Sequence, residues 1–375
     1  MKKKKILIFS DWYKPGYKAG GPIQSISNLV NLVGSIYDFY IITRNTDYLE
    51  NEPYVGIKSN EWIKRSNENV YYLSGNQHKF LSIYSLVKEV KPDLIYLNSL
   101  YSFHYTLIPI LLSVWLKIKV VLAVRGMLSK GSFNVKRNKK DIFLKIFKFL
   151  KLQNKILFQA TSLSEIEDIK NRIGPQTAIR LANNVPFISF ERVYSKVTDR
   201  LKVVFVGRIA PEKNLLFAIQ VITKVKVEVE FDIYGPIYNN SYWMQCKEII
   251  EHYNGVAIIN YKGVLDHENL NDKLKSYDIL FLPSTGENFG HIINESMMNC
   301  CIPLISDQTP WKDLELSNAG YDLSLNNEND FVEKIEYLAS LDKDQLKEMA
   351  LNAYDFAIKK HDVNSLETSY KLLFN

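Results

Sequence analysis

Short apolar runs alternate with stretches of helical hydrophobic spacing along most of the chain. In the first half, these runs predict strands at Lys5–Ser10, Phe39–Thr43, Asn69–Leu73, Leu94–Asn98, Lys119–Val124 and Ile156–Thr161. The pattern repeats after residue 200, where strands are predicted at Lys202–Val206, Val229–Tyr234, Val256–Asn260, Ile279–Pro283 and Ile302–Ser306. Strands that alternate with helices form parallel sheets covered on both faces, so the sequence predicts an α/β fold.

The doubled pattern and the chain length both predict two domains. A chain of 375 residues exceeds what one hydrophobic core usually supports. We expect an N-terminal domain over residues 1–185 and a C-terminal domain over residues 201–355, joined by a linker at 186–200 that follows neither period. Each half is expected to be a Rossmann-like doubly wound sheet. The carboxyl ends of the strands should face a central cleft, because open α/β sheets bind ligands at that edge.

Composition restricts the class of protein and its compartment. With 46% hydrophobic and 23% charged residues, the chain is typical of a globular protein. Its 3 cysteines, of which Cys300 and Cys301 are adjacent, provide neither a disulfide framework nor metal-ligand spacing. The apolar run after the basic N-terminus is too short for a signal peptide, because Asp11 and Lys14 end it. We therefore expect a cytoplasmic protein.

Two segments bear on contact with a membrane. The apolar run Leu107–Leu116 is well short of the roughly 20 residues that a spanning helix needs. Between Lys130 and Lys155, nine Lys or Arg residues accompany one acid, Asp141, and a broad apolar helical face. The pattern is typical of a helix lying on the anionic inner leaflet of a membrane, and equally of a core-packed helix with a solvated basic side. Nucleic acid is not favoured as a partner, because no recognised binding module accompanies the basic residues.

Glu287 and Glu295 are separated by seven residues across a glycine, where a predicted strand gives way to a helix. The amides of Phe289, Gly290 and His291 come at the start of that helix, where backbone N–H groups lack intrahelical partners and favour an anion. Two carboxylates that can accept hydrogen bonds from sugar hydroxyl groups, beside a helix start that favours phosphate, suit a sugar nucleotide as the ligand. For two isolated glutamates, a solvated loop charge and a helix-face charge would be the simpler interpretation.

A second segment fits the same ligand. Gly207-Arg208 follows a predicted strand, and Lys213 follows Pro211, which is expected to open a helix. Arg208 can hold phosphate oxygens in a bidentate manner, and Lys213 can act as a movable point charge. Cations oppose the positive end of a helix dipole, so an anion or a carboxylate such as Glu212 should offset them. Solvated surface cations are the alternative interpretation.

Other ligand motifs are excluded or weak. A Gly-x-Gly-x-x-Gly motif is absent, and Gly126-x-x-x-x-Gly131 lacks the Lys-Ser or Lys-Thr of a P-loop. Asp342-Lys-Asp344 matches a metal-binding Asp-x-Asp motif, but it precedes a helical run and is better interpreted as a helix cap. We predict no divalent-metal requirement.

These segments together resemble a known enzyme family. Gly207-Arg208 with Lys213, followed by Glu287-x-Phe-Gly-x-x-x-x-Glu295, resembles the retaining glycosyltransferases of family 4, which have the GT-B fold. The likeness covers nearly the whole chain and includes Tyr17-Lys-Ala-Gly20-Gly21-Pro22, Arg125-Gly126 and Asp307-Gln-Thr-Pro-Trp311. The resemblance is strongest to family members that assemble bacterial O-antigen, capsule or exopolysaccharide. The resemblance also implies that a C-terminal helix over residues 356–375 crosses back to the N-terminal domain.

The resemblance implies roles for individual residues. Arg208 and Lys213 would hold the donor diphosphate, Glu295 the ribose hydroxyls and Glu287 the donor sugar. Further donor contacts are expected at Gly20, Gly21, Arg125, Gly207, Gly235, Gly263, Val264, Asn288, Phe289, Gly290, His291 and Ile292. For Gly235 and Gly263, which are lone glycines, a role in turns is the simpler interpretation. The acceptor side would include Asn98, Ser99 and Arg125, and a structural pairing of Arg125 is as plausible as a ligand contact.

The implied reaction moves a sugar from a UDP- or GDP-linked sugar to a saccharide or lipid-linked saccharide, with attack from the face that the diphosphate leaves. The nucleotide sugar is the substrate, and no cofactor is expected. Glu287 and Glu295 are therefore not interpreted as the acid and nucleophile of a hydrolase. Two alternatives stay open: a nucleotide-sugar 2-epimerase on the same fold, and an inactive nucleotide-sugar-binding subunit. The presence of all four charged residues, Arg208 and Lys213 with the two glutamates, favours an active enzyme.

Overall fold

The computed structural model of the protein describes residues 3–129, 137–194, 200–265 and 267–375. The chain forms two compact units: unit 1 comprises Met1–Val185 and Val363–Asn375, and unit 2 comprises Pro186–Asp362. Each unit is built on a parallel or mostly parallel sheet covered by helices, as the α/β prediction required. Residues 130–136 of the predicted basic stretch and 195–199 of the predicted linker lie outside the described residues.

Unit 1 contains an eight-stranded sheet in the order β3-β4-β2-β1-β5-β6-β7-β8. Its strands are β1 Lys4–Phe9, β2 Tyr37–Arg44, β3 Trp62–Lys64, β4 Glu68–Leu73, β5 Leu94–Leu97, β6 Lys119–Ala123, β7 Leu157–Ala160 and β8 Ile179–Leu181. The pair β3–β4 is antiparallel and the other neighbours are parallel. All four residues of β5 are buried, as expected for a central parallel strand with helices on both faces.

The helices of unit 1 lie on both faces of this sheet. They are α1 Gly21–Val33, α2 Phe80–Val90, α3 Ile108–Leu116, α4 Arg137–Phe149 and α5 Leu163–Arg172, with a π-helix at Phe103–Leu107. The inner side chains of α2, α3, α4 and α5 share one hydrophobic cluster. Those of α1 belong to a second cluster, which also includes residues of the C-terminal helix.

Unit 2 contains a six-stranded, all-parallel sheet in the order β11-β10-β9-β12-β13-β14. Its strands are β9 Leu201–Val206, β10 Val229–Tyr234, β11 Ile258–Gly263, β12 Ile279–Leu282, β13 Ile302–Ser306 and β14 Tyr321–Leu323. Its helices are α6 Leu215–Lys224, α7 Asn240–His252, α8 His267–Leu274, α9 His291–Met298, α10 Glu328–Ser340 and α11 Lys343–Lys360. One hydrophobic core joins the sheet to these helices.

The chain passes from one unit to the other after Val185 and again after Asp362. The segment that follows the first crossing packs on unit 2, where the Asn294 amide donates to the Phe187 carbonyl at 2.6 Å. The single helix expected over residues 356–375 is instead the end of α11 and a separate helix, α12 Val363–Phe374. The two helices are distinct because α11 ends before His361, whose backbone is extended (φ −115°, ψ 98°). Helix α12 packs in unit 1 through Tyr370, Leu373 and Phe374.

Two local predictions about helix starts have different outcomes. Asp342 is confirmed as a cap, since its side chain accepts hydrogen bonds from the backbone N–H groups of Asp344 and Gln345 in a complete capping box. Pro211 does not open an α-helix. It begins a 3-10 turn, Pro211–Lys213, and α6 starts only at Leu215 because Asn214 between them is left-handed (φ 58°).

The long apolar and basic segments of the sequence form α3 and α4 of unit 1. None of the helices that the structure describes combines the length and the hydropathy that a membrane crossing needs. The apolar run Leu107–Leu116 corresponds to a helix of nine residues, Ile108–Leu116, which follows the π-helix without a break.

Candidate functional site

The two motif segments of unit 2 follow neighbouring strands of one sheet. Strands β9 and β12 pair in parallel, with Val203 opposite Ile279. The loop with Gly207 leaves β9 and the loop with Glu287 leaves β12. Because parallel strands end at the same edge, both loops lie at the carboxyl edge of the sheet. The loops are also hydrogen-bonded directly, since the Thr285 amide donates to the Glu212 carbonyl at 3.0 Å.

Lys213 and Glu287 form an ion pair between these loops. The Lys213 Nζ lies 2.5 Å from Glu287 Oε1, and the side chains are only 17% and 11% exposed. The Ser284 hydroxyl donates to the same carboxylate oxygen at 2.8 Å. An ammonium carries three donors, so binding one carboxylate leaves capacity for a second acceptor such as a phosphate oxygen. The pair therefore places a positioned cation and a positioned carboxylate side by side at the strand ends.

Arg208 lies at the start of the first of these loops and has a different environment. Its Nη2 is 3.2 Å from Glu212 Oε1, and both side chains are more than one-third exposed. The guanidinium carbon also lies 5.0 Å from the centre of the Tyr238 ring. Glu212, which the sequence suggested as an alternative partner for the cations, is therefore the carboxylate that Arg208 contacts. An exposed ion pair of this kind is weak, so a phosphate could replace Glu212 at little cost.

The glycines at three strand ends bring backbone segments into close contact. The Gly235 amide donates to the Gly263 carbonyl at 2.9 Å, and the Gly207 amide donates to the Tyr234 carbonyl at 3.0 Å. A Cβ on Gly235, whose φ is +153°, would lie 1.7 Å from the Gly207 carbonyl oxygen. Gly235 is therefore needed for close approach of the loops after β9 and β10. Val264, which follows Gly263, is 41% exposed.

Helix α9 starts immediately after Gly290, as predicted. Gly290 is left-handed (φ +76°), and a Cβ there would lie 2.8 Å from Ile293 Cδ1. Asn288 before it is exposed, whereas Phe289, His291 and Ile292 are partly exposed. Glu295 lies one turn into the helix and is 3% exposed. Backbone N–H groups at a helix start have no intrahelical partner, so this loop can bind an anion close to the Lys213–Glu287 pair.

A buried network that the sequence did not indicate supports the loop before α9. The Trp311 indole donates to the Phe289 carbonyl at 2.7 Å. The Asn294 amide donates to Phe187, and its Oδ1 lies 2.9 Å from His361 Nε2. Burial, with the nearby charge of Lys360, lowers the pKa of His361 to about 4. Trp311 belongs to a motif of the resemblance, whereas Asn294 and His361, which are 67 positions apart, share no sequence pattern that would pair them.

The remaining predicted site residues lie in unit 1. Gly20 is left-handed (φ +72°) and precedes α1, which begins at Gly21, and a Cβ on Gly20 would meet nothing within 4 Å. Asn98 and Ser99 follow β5, and Arg125 follows β6. Its Nη2 donates to Tyr96 OH at 2.8 Å and to Asn98 Oδ1 at 2.9 Å, and its Nη1 donates to Asn184. Arg125 is thus held by amide and hydroxyl groups of its own unit rather than by a carboxylate.

A second polar cluster in unit 1 was missed in the sequence. Asp11, two residues after β1, accepts from Arg44 at 3.1 Å and from the Ser102 hydroxyl at 2.9 Å. His78 and His104 are adjacent, with ring centres 5.3 Å apart. Burial and the charge of Arg44 lower the pKa of both imidazoles, that of His78 to about 4. Arg44 Nε and His104 Nδ1 are buried without a hydrogen-bond partner.

This cluster surrounds the rare π-helix Phe103–Leu107, an irregularity that often marks functional sites. A neutral imidazole carries one donor and one acceptor, and Arg44 is balanced by Asp11. The group is therefore suited to hydroxyl-rich neutral ligands more than to anions. Polar residues directly after β1 and at the end of β2 were the signal that could have revealed it.

The described residues contain no cluster with the composition of a metal site. Within residues 3–129, 137–194, 200–265 and 267–375, no group of three or more His, Cys, Asp or Glu side chains could hold a metal ion. Asp342 and Asp344 of the Asp-x-Asp match serve the start of α11. The prediction that no divalent metal is required stays a prediction.

Comparison with known proteins bears on the fold and the family. Residues 188–356 match the family described as glycosyl transferases group 1. No curated protein sequence matches the chain. HepE of Anabaena, solved in complex with UDP and glucose, is similar with a TM-score of 0.71 at 15% identity over 99% of each chain. Sucrose-phosphate synthase from Thermosynechococcus elongatus has a TM-score of 0.70 at 13% identity, covering 100% of this chain and 98% of its own. WaaG, described as a glycosyltransferase involved in lipopolysaccharide biosynthesis, has a TM-score of 0.66 at 11% identity over 99% of each chain.

The family match falls within unit 2 and contains all four charged residues of the candidate site. The structural similarity extends over both units. The chain therefore has the GT-B fold, and the family match to glycosyl transferases group 1 is confined to residues of unit 2.

Proposed function

We propose that the protein is a retaining glycosyltransferase of family 4, which moves a sugar from a nucleotide sugar to a saccharide acceptor. The observation that carries the proposal is the Lys213–Glu287 ion pair beside the start of α9. It combines a cation for a leaving diphosphate with a carboxylate for sugar hydroxyls. A solvated surface lysine and glutamate would be exposed, whereas these side chains are mostly buried.

In this proposal the donor occupies the carboxyl edge of the unit 2 sheet. Lys213 and Arg208 bind the diphosphate, and Arg208 exchanges its exposed contact with Glu212 for phosphate oxygens. Glu287 accepts hydrogen bonds from the donor sugar, and Glu295 accepts them from the ribose. Gly235, whose missing side chain lets the Gly207 carbonyl approach, holds the loops after β9 and β10 together beside the proposed nucleotide position. UDP is the first nucleotide to test, since HepE was solved with UDP-glucose.

The proposed chemical step is the one that the resemblance to family 4 implies. The bond between the anomeric carbon and the diphosphate breaks, and the acceptor hydroxyl oxygen attacks from the same face. Its proton passes to an oxygen of the departing phosphate, so no separate base is required. Lys213 and Arg208 stabilise the charge that develops on the leaving group, the effect that contributes most in such steps.

The acceptor side is proposed for unit 1. The cluster of Asp11, Arg44, His78 and His104 supports a hydroxyl-rich acceptor, in addition to the predicted Asn98, Ser99 and Arg125. We further propose that the acceptor is a lipid-linked saccharide of a bacterial surface polysaccharide, assembled in the cytoplasm. The similarity to WaaG, which is described as acting in lipopolysaccharide biosynthesis, supports this pathway.

The test is to incubate the protein with UDP-, GDP- and dTDP-sugars and a bacterial lipid extract, and to analyse the products. Sugar transferred to the extract supports the proposal. A free sugar with inverted C2 would instead identify a 2-epimerase, and nucleotide binding without turnover would identify an inactive subunit.

Lys213→Ala is the decisive variant, because loss of one preorganised charge contact costs about 10²–10³-fold in turnover. Lys224→Ala is a matched control, since Lys224 also pairs with a glutamate of unit 2, Glu328, but is 51% exposed. Equal activity of the two variants would rule out the phosphate role of Lys213.

A further inference from the structure

Helices α3 and α4 are neighbours on one face of the unit 1 sheet. Helix α3 lies between β5 and β6 in the chain, and α4 between β6 and β7. These three strands are adjacent and parallel, and right-handed crossovers place both helices on the same face. Their inner side chains belong to one hydrophobic cluster. The Tyr101 ring, just before the π-helix that leads into α3, lies 5.3 Å from the Phe143 ring of α4.

Helix α4 has an apolar stripe on each side. Leu144 and Phe147 are 6% and 1% exposed and pack into the core. Ile142, Ile146 and Phe149, at helical spacing of four and three, are 58%, 50% and 85% exposed. Core packing accounts for the inner stripe only. The core-packed interpretation of the sequence therefore describes half of this helix.

Helix α3 presents a second exposed apolar stripe. Leu111, Val114 and Trp115 are 41%, 44% and 64% exposed, and their spacing of three and one places them on one side of the helix. Trp115 stacks on Tyr84 of α2 with ring centres 5.3 Å apart, which holds the indole at the surface. We call the six exposed residues of the two helices the apolar surface. Groups of exposed apolar side chains on two neighbouring helices are uncommon unless something covers them.

The surroundings of the apolar surface are strongly basic. The described residues 137–155 contain one acid, Asp141, which lies 3.6 Å from Arg137. They contain seven cations: Arg137, Lys139, Lys140, Lys145, Lys148, Lys151 and Lys155. On a helical wheel Lys139 and Lys145 flank the exposed stripe of α4 on either side, and both are exposed. Flexible lysines beside an apolar stripe can reach an anionic layer while the stripe enters an apolar one.

We propose that the apolar surface docks on an anionic lipid bilayer, with α3 and α4 lying in the plane of its interface. Charge complementarity selects this occupant. A second copy of the chain would bring two sets of cations together, which is unfavourable. A bilayer provides anionic headgroups for the lysines and an apolar layer for Trp115 and Phe149, the arrangement found in interfacial helices. The inference does not depend on the transfer reaction, although a lipid-linked acceptor would be encountered at such a surface.

The test is co-sedimentation of the full chain, without nucleotide sugar, with vesicles of phosphatidylcholine alone or with 30% phosphatidylglycerol (about one-third anionic lipid, a typical anionic leaflet). We expect binding to the anionic vesicles that weakens as salt increases, because screening reduces the attraction of the lysines. Phe149→Ser should lower the partition coefficient about tenfold, because it removes an aromatic group that would be buried in lipid. Lys145→Glu should lower it by a similar factor on anionic vesicles only.

Leu316→Ser is the matched control, since Leu316 is 87% exposed in unit 2 and lies outside the apolar surface. All three substitutions change exposed side chains, so unchanged thermal melting would verify the fold. The proposal is overturned if anionic vesicles do not bind the chain, or if Leu316→Ser weakens binding as much as Phe149→Ser. It is also overturned if Phe149→Ser converts a dimer into a monomer in light scattering, because the surface would then join two copies.

Discussion

Replacing Asn294 by alanine is predicted to destabilise unit 2 and to weaken donor binding at the same time. The Asn294 side chain is 0% exposed and makes two hydrogen bonds, as donor to the Phe187 carbonyl and as acceptor opposite His361 Nε2. A carbonyl can only accept, so the amide nitrogen faces Phe187 and Oδ1 faces His361. His361 must then carry its proton on Nε2. The lowered pKa of His361, about 4, keeps the imidazole neutral at pH 7 and agrees with this tautomer.

The magnitude follows from the groups that the substitution leaves unpaired. Each half-buried carbonyl or N–H without a partner costs about 1–3 kcal/mol, and the substitution leaves two of them, so Asn294→Ala should lower the free energy of unfolding by about 2–6 kcal/mol. The residue also precedes Glu295 in α9 and lies one turn after Gly290. A displaced α9 start should therefore raise the KM for the nucleotide sugar several-fold.

A double-mutant cycle isolates the contact with His361. His361→Phe keeps a ring beside Trp311, whose centre is 5.7 Å away, and removes the N–H. The free energy of unfolding is measured in urea by tryptophan fluorescence. The double variant should lose about 1 kcal/mol less of it than the sum of the losses of the two single variants. Asn329→Ala, at an exposed position on α10, is the control. Losses that add within about 0.3 kcal/mol would show that the two residues do not interact, and the reasoning would fail.

Three further predictions concern other features of unit 2. Gly235→Ala should yield largely unfolded protein, measured by circular dichroism, because the new Cβ would lie 1.7 Å from the Gly207 carbonyl oxygen; normal folding would contradict the close approach. Asp342→Ala should cost about 1 kcal/mol in urea unfolding through loss of the cap on α11, whereas Asp342→Asn should cost less. Stability should fall as pH decreases from about 6.5 to about 4, because the unfolded state binds protons that folded His361 and His78 do not. His361→Phe should reduce the dependence of melting temperature on pH in that window to the part that His78 contributes, and an unchanged slope would exclude a contribution from His361.

The strands that the sequence predicted well and those it missed differ in their place in the sheets. Val229–Tyr234 and Ile302–Ser306 have the predicted bounds, and both are interior strands of unit 2. The strands without a prediction are β3, β8 and β14, each of three residues and each at the edge of a sheet. The fourth edge strand, β11, was predicted at Val256–Asn260 and lies at Ile258–Gly263. An edge strand has one neighbour and is partly exposed, so it carries fewer apolar residues than an interior strand. In the three short edge strands the apolar run is therefore too weak to detect.

The candidate site shows a similar limit. The motif spacing predicted that Glu287 follows a strand and that Glu295 lies in a helix, because turn and strand patterns are local. It also offered Glu212, four residues from Arg208 in the same loop, as a partner for the cations, and Arg208 contacts it. It could not predict that Lys213 contacts Glu287, because that depends on which strands are neighbours and how the loops are hydrogen-bonded. The Asp11–Arg44 pair was missed for the same reason: Asp11 follows β1, Arg44 ends β2, and the two residues match no motif.

The site residues therefore divide into two classes that one pair of measurements can separate. Lys213 is bound to Glu287 and lines a loop at the edge of the sheet, so its replacement should reduce turnover without a comparable loss of stability. Asn294 is enclosed by the protein and joins α9 to residues close to both chain crossings, Phe187 and His361. Its replacement should reduce stability and donor affinity together. If Lys213→Ala proved as destabilising as Asn294→Ala, the ion pair would be a structural element, and the assignment of Lys213 to the diphosphate would have to be abandoned.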